Sequence, residues 1–130
     1  MARLLLDSTV LIDLLRGRRA VARVLAERRS GDVPYTSAVN VEEIVRGMRP
    51  SESAKVGLLF DGLRIVPIGR EVAEQAGRWR REHAASGVTL SQADCLVAAA
   101  ARSVHATLAT ANVKDFPMSE VRIELWPSDR

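Results

Sequence analysis

The chain has 130 residues, 47% hydrophobic and 27% charged, with one cysteine and a formal net charge of +3. That length fits one domain burying about two thirds of the surface its unfolded chain exposes, so a core forms without staples. The lone Cys95 excludes an intrachain disulfide and points to a reducing compartment. The longest unbroken aliphatic run, Leu96 to Ala101, falls far short of the roughly 20 residues that span a bilayer. Asp7 and Asp13 interrupt the apolar opening stretch Met1 to Leu15, which speaks against a secretory signal and for a cytoplasmic protein. The cations are nearly all arginine, and their excess admits a nucleic-acid partner without demanding one.

In chain order, Arg3 to Leu6 reads as a short strand ending at Asp7, with Ser8 and Thr9 capping a helix over Val10 to Leu15. Gly17 breaks the chain, and Val21, Val24 and Leu25 recur at helical spacing before Ser30-Gly31-Asp32. Val33 to Thr36 is a second extended piece. Ser37 caps a helix with Val41, Ile44, Val45 and Met48 on one face, ending near Arg49-Pro50. Ser51 opens another, with Val56, Leu59 and Phe60 as its buried stripe. Arg64 to Ile68 reads as a strand that Pro67 assigns to an edge or a strand end. Arg70 to Ala85 is the longest helical stretch, with Val72, Ala76, Trp79 and His83 along one side and Gly87 closing it. Ser91 opens a further helix of Leu96, Val97 and the alanines to Ala101, and Thr107 to Thr110 and Val121 to Leu125 read as the last strands. Neither a repeat nor a low-complexity linker divides the chain, so residues 1–130 read as a single unit. Short strands separated by helices imply an α/β class with a parallel sheet covered on both faces, because parallel pairing needs long crossovers.

In open parallel sheets the functional crevice lies at the carboxyl ends of the strands. Asp7 stands at such an end, and Asp115 follows the strand that stops near Thr110, in the loop Ala111 to Phe116. Glu43 and Asp94 lie on helices that begin at the same rim. Asp94 is a charge at the head of an otherwise apolar helix. A capping box over Ser91-Gln92-Ala93-Asp94 is the competing explanation, although that motif favours Glu or Gln. Glu42 and Glu43, side by side, cannot both face inward, and a solvated face is the usual fate of such pairs.

Leu5-Leu6-Asp7-Ser8-Thr9-Val10-Leu11-Ile12-Asp13 resembles the first motif of PIN-domain nucleases, and more narrowly of the VapC toxins of bacterial toxin-antitoxin pairs. Ser37-Ala38-Val39-Asn40-Val41-Glu42-Glu43-Ile44, followed by Gly47, resembles the second, in which the acid before the aliphatic residue is the active one, here Glu43. Asp94-Cys95-Leu96-Val97-Ala98-Ala99-Ala100 is similar to the third, and Leu108-Ala109-Thr110-Ala111-Asn112-Val113-Lys114-Asp115-Phe116 to the fourth. Four motifs, in order over almost the whole chain, make the resemblance specific. The fourth departs from the family pattern at Ala111, where arginine is frequent. Family members also differ in which polar residue of this loop completes the metal site, so Asn112 and Asp115 both stand.

The resemblance implies a three-layer α/β/α PIN domain with a central parallel sheet. It implies a Mg²⁺-dependent endoribonuclease, with Mn²⁺ as a substitute, that leaves a 5′ phosphate and a 3′ hydroxyl and so inhibits translation and growth. Asp7 and Asp94 would hold the principal ion, Glu43 would place or deprotonate the water, and Asp115 or Asn112 would complete a second, weaker site. A small VapB-type antitoxin, a toxin homodimer and a toxin-antitoxin hetero-oligomer are the implied partners, with tRNA and rRNA as candidate substrates.

Carboxylate oxygens suit hard divalent ions. Two carboxylates about 5 Å apart at an effective dielectric near 20 repel by roughly 3 kcal/mol. Without an ion, at least one of the cluster is therefore expected to keep a proton, and ion binding to strengthen from mildly acidic to neutral pH. Zinc is disfavoured, since Cys95, His83 and His105 offer no tetrahedral set. Ser8, Thr9 and Thr110 read as orienting Asp7 or donating to phosphate. Asp13 reads as a helix-surface acid outside the ligand set. Arg16, Arg18, Arg19, Arg46 and Arg49 flank the acid-bearing segments and read as guides for an RNA backbone, with Arg78, Arg80 and Arg81 as a second basic cluster; a solvated helix face is the plain alternative for both. Aromatic residues are scarce, which favours recognition of a folded RNA by shape. Haloacid dehalogenase-like phosphatases and receiver domains also place an aspartate after the first strand. The former need a second aspartate where Thr9 stands, and both need a positioned lysine, of which only Lys55 and Lys114 exist. A non-catalytic nucleic-acid or protein-binding module is the other alternative, and Val56, Leu59 and Phe60 would serve either the core or a partner.

Overall fold

The first strand, β1 (Arg3–Leu6), runs through the middle of the molecule in the computed structural model, which describes residues 3–19, 22, 23, 26 and 32–128. Leu4, Leu5 and Leu6 are all buried, an unbroken apolar run such as a parallel strand covered on both faces requires. The helix α1 (Ser8–Leu15) follows directly, then β2 (Tyr35–Ser37), α2 (Ala38–Gly47), α3 (Ser53–Asp61) and β3 (Arg64–Val66). Two longer helices, α4 (Arg70–Ala85) and α5 (Gln92–Ser103), lead to β4 (Ala106–Thr110) and the last strand β5 (Ile123–Leu125). The strand order is β3-β2-β1-β4-β5 and every pair is parallel, with Leu5 opposite Tyr35 on one side and Leu108 on the other.

Side chains alternate across this sheet into two cores. Leu5 and Leu108 join Val72, Ala76 and Trp79 of α4 and the buried face of α5, whereas Leu4, Leu6 and Ala109 join Val10, Leu11, Ile44 and Val56 from α1, α2 and α3. The expected three layers are therefore present. In α5, Val97 and all four alanines to Ala101 are buried, so the helix is apolar nearly all round and its small side chains let α4 pack close. Trp79 is fully buried, and its indole N–H donates to Glu120 Oε2 at 2.9 Å, which satisfies its one polar atom. Gly17 and Gly87 adopt the left-handed backbone, at φ 65° and 81°, that stops the helices before them. No helix among the described residues is long and apolar enough to cross a membrane.

The chain lays down β1, β2 and β3 outward in one direction and then crosses to β4 and β5 on the other side. The reversal falls between β1 and β4, so the crevice at the carboxyl ends of these two strands is the expected ligand site.

Several expectations shift. Ser8 and Thr9 lie within the first turn of α1, and Asp7 occupies the capping position itself. The second strand runs over Tyr35–Ser37 and not from Val33 to Thr36: Pro34 has no N–H to give the ladder, and Ser37 both ends the strand and caps α2. Ser51 is no cap: it sits in a 3₁₀ turn, Pro50–Glu52, and α3 starts at Ser53. Of the α3 stripe only Val56 is fully buried; Leu59 and Phe60 are half-buried against the second core. The third strand stops at Val66, before Pro67, and is an edge strand as the proline predicts. Asp13 is not a surface acid. It is 3% exposed, and Arg18 Nη1 lies 3.9 Å from its Oδ1 while the Ser128 hydroxyl donates to the same oxygen at 3.4 Å. The helical spacing at Val21, Val24 and Leu25, and the stop at Ser30-Gly31, lie outside the described residues.

Candidate active site

Asp7 is the first residue beyond β1, and its backbone N–H continues the ladder to Ala109 O at 2.9 Å, which aims the side chain into the crevice beside β4. The carboxylate is buried and gripped on both oxygens: Thr110 Oγ1 donates to Oδ2 at 2.7 Å and Asn40 Nδ2 to Oδ1 at 3.2 Å. Burial pushes its pKa above the ordinary aspartate value, and hydrogen bonds from the Thr110 hydroxyl, the Ser8 backbone, Asn40 and Thr9 oppose that rise. Thr110 is itself buried and accepts from Asn112 N at 3.0 Å; Thr9 Oγ1 accepts from Ala111 N at 3.0 Å. These two hydroxyls therefore tie the loop after β4 to the first acid.

Glu43 reaches the same crevice from α2 and is half-buried, with the Ser8 hydroxyl donating to its Oε1 at 2.8 Å. Burial is the first cause that raises its pKa; the Ser8 bond pulls it back, and the charges of Asp7 and Asp94 raise it again. Asp94 sits in the first turn of α5, half-buried, where its backbone N–H donates to Ser91 Oγ at 3.0 Å. Ser91 is thus a true cap, yet the cap does not use up the acid. Burial raises the Asp94 pKa, Ser91 lowers it, and the charges of Asp115 and Asp7 raise it further. Asp115, half-buried in a short 3₁₀ turn (Val113–Asp115), completes the group. Asp7, Glu43 and Asp94, far apart in sequence, are therefore within electrostatic reach, with Asp115 reaching Asp94, and Glu42, their exposed neighbour, instead pairs with Arg46 at 2.9 Å. The side-by-side glutamates resolve as one inward and one outward.

Among the described residues, the hydrogen-bond donors to Asp7 and Glu43 are hydroxyls and amides, with no guanidinium or ammonium among them, and the charge of Arg46 acts on Glu43 without a bond to it. An all-oxygen donor set of this kind fits a hard divalent ion. Among the described residues no three His, Cys, Asp or Glu side chains close into a ready-made cage. Magnesium needs none, since it binds through one or two carboxylates and keeps several waters. Asp7 and Asp94, whose charges act on one another, are the carboxylates that would hold such an ion.

The flanking cations are less uniform. Arg16 lines a groove of about 110 Å³ together with Glu43, Ile12, Ile44 and Met48, and the charge of Arg46 is felt at Glu43. Arg18 turns to the buried Asp13, and Arg19 and Arg49 are exposed. In the second basic cluster Arg78 donates to Gln75 Oε1 at 3.2 Å and Arg80 to Leu90 O at 3.3 Å, so both serve local packing on α4. Asn40 is the residue that the sequence reading passed over. It is fully buried beneath the acids, and its signal is the Ser37-Ala38-Val39-Asn40 spacing, a capping box with the shorter Asn in place of Glu or Gln.

The PIN domain signature matches residues 4–119 of this sequence. The chain belongs to the PIN-domain family. This PIN domain is similar to Ribonuclease VapC19 of Mycobacterium tuberculosis, 35% identical over 115 residues that cover 88% of this chain and 92% of that protein. Ribonuclease VapC10 of the same organism is 36% identical over 117 residues, 90% of this chain and 88% of that one. In fold it is similar to the toxin-antitoxin complex VapBC2 from Rickettsia felis bound to a promoter DNA fragment, with a TM-score of 0.82 at 20% identity, covering 95% of this chain and 98% of that chain.

Proposed function

We propose that this PIN domain is an endoribonuclease toxin that hydrolyses RNA phosphodiester bonds with a bound Mg²⁺, for which Mn²⁺ substitutes. The observation that carries the reading is the gathering of Asp7, Glu43 and Asp94, all with raised proton affinity, at the reversal point of the sheet. The similarity to VapC ribonucleases supports RNA as the substrate. When bound, the ion supplies charge neutralisation at the phosphate and a more acidic attacking water.

Asp7 and Asp94 would hold the ion, with Asp115 or Asn112 available for a second, weaker position. Glu43, whose raised pKa makes it a stronger base than an ordinary carboxylate, takes the proton of the water as its oxygen attacks phosphorus. The P–O3′ bond breaks, the leaving oxygen takes a proton from solvent, and the products carry a 5′ phosphate and a 3′ hydroxyl. Ser8 orients Glu43, and Thr110 with Thr9 orients Asp7 and the loop that carries Asp115. Arg16 and Arg46, beside Glu43, steer the RNA backbone toward the acids.

The protein acts in the cytoplasm, where cleavage of RNA stops translation, and a small VapB-type antitoxin restrains it in a hetero-oligomer built on a toxin homodimer. Complexes of toxin with antitoxin among the similar folds support that assembly. Expression of the wild type is expected to arrest growth and create new RNA ends, both reversed by the neighbouring gene, whereas Asp94→Asn does neither. A variant Asp94→Asn that still arrests growth overturns the nuclease and leaves a binding module.

A further inference from the structure

Asn40 lies at the third position of α2, fully buried, between the helix cap and the acidic crevice. Its amide orientation is forced by chemistry. Oδ1 faces the backbone N–H of Ser37 at 3.2 Å, which only donates, and Nδ2 faces Asp7 Oδ1 at 3.2 Å, which as a carboxylate only accepts. The second Nδ2 proton goes to Ser8 Oγ at 3.0 Å. With a lone pair of Ser8 Oγ engaged, its single proton points to Glu43 Oε1 at 2.8 Å. One side chain thus touches Asp7 directly and reaches Glu43 through Ser8, while its carbonyl end is anchored by both the backbone and the hydroxyl of Ser37, the latter at 2.7 Å.

We propose that Asn40 is the positioning residue that sets Asp7 and Glu43 relative to one another for the divalent ion, an inference that rests on the metal-dependent reading above. Capping alone needs an acceptor at this position, since only Oδ1 takes part in the cap; the two N–H groups contribute nothing to it and both serve the acids. A buried amide that gives one N–H to Asp7 and the other to the hydroxyl that bonds Glu43 is the outer partner expected of residues that orient metal ligands, where loss typically costs 10–100-fold in affinity.

The test is calorimetric Mn²⁺ binding to the full chain as wild type, Asn40→Ala and Ser37→Ala, with thermal unfolding of each. Both variants lose stability, because both damage the cap. Asn40→Ala is expected to weaken Mn²⁺ at least about tenfold, whereas Ser37→Ala, which leaves both Nδ2 bonds in place, stays within about twofold of wild type. Asn40→Ala binding as tightly as wild type overturns the proposal, as does Ser37→Ala losing as much as Asn40→Ala. Should Asn40→Ala fail to fold, wild-type protein answers by ¹⁵N NMR: the Asn40 side-chain amide is expected to be slow in solvent exchange and to shift on Mg²⁺ addition, and an amide unmoved at saturating Mg²⁺ refutes the role. Wild type that binds no divalent ion defeats the metal reading itself, a result distinct from an intact site indifferent to Asn40.

Discussion

Replacing Glu43 by glutamine is expected to make the ion-free protein more stable and the enzyme inactive. Glu43 is raised in pKa by burial and by the charges of Asp7 and Asp94, so it binds its proton more tightly folded than unfolded. The folded state therefore loses stability as pH rises from the ordinary glutamate value, about 4.3, through the raised one. Unit charges about 6 Å apart at an effective dielectric near 20 repel by about 3 kcal/mol. Water screens a half-exposed group, and measured surface pairs fall to about 1 kcal/mol or less each, which leaves about 1–2 kcal/mol for the two repulsions. Glutamine keeps the oxygen that accepts from Ser8, but a neutral acceptor in place of a charged one gives back about 0.5–1 kcal/mol. The net gain is about 1 kcal/mol, or roughly 3–5 °C in Tm for a chain of this size. Thermal unfolding in EDTA at pH 7.5 reads the gain, and at pH 4, where wild-type Glu43 is protonated, the two proteins are expected to melt together. RNA cleavage with Mn²⁺ is expected to fall by about 10²–10⁴-fold. A variant no more stable than wild type at pH 7.5, or equally more stable at both pH values, refutes the reasoning.

Divalent-ion affinity is expected to rise as pH climbs out of the ordinary carboxylate range toward neutrality, because Asp7, Glu43 and Asp94 all have raised pKa values and protons compete with the ion; flat affinity by calorimetry contradicts this. Thr110→Val removes the 2.7 Å bond to Asp7 and is expected to cost about 1.5–3 kcal/mol in denaturant unfolding. It also lifts the Asp7 pKa further, so its loss of ion affinity is expected to be larger at acidic than at neutral pH. Leu5→Ala empties the centre of the first core and is expected to destabilise by about 2–5 kcal/mol without changing the ion stoichiometry of the folded fraction.

The acids and the layers were readable in the sequence because each depends on a local pattern: an apolar run ending in Asp7, a Ser cap ahead of Asp94, a 16-residue amphipathic α4. What local pattern does not encode is what comes to lie against a residue from a distant segment. Asp13 looked solvated because nothing in α1 announces that Arg18 and Ser128 fold over it. Phe116, Met118, Val121 and Trp126 are core residues in segments too irregular to show any period, and were legible only as loop and strand end. Asn40 was masked by its own motif: its capping half is local, but its contacts with Asp7 and Ser8 span more than thirty residues of sequence. Which of two adjacent glutamates turns inward was settled by Ser8 on one side and Arg46 on the other.

The most direct measurement is anomalous diffraction from crystals of this protein grown with Mn²⁺. One strong peak is expected in the crevice between β1 and β4, about 2.1 Å from oxygens of Asp7 and Asp94 and with Glu43 facing it through water. A peak elsewhere with that crevice empty, or none at millimolar Mn²⁺ and neutral pH, contradicts a metal-dependent nuclease built on these acids.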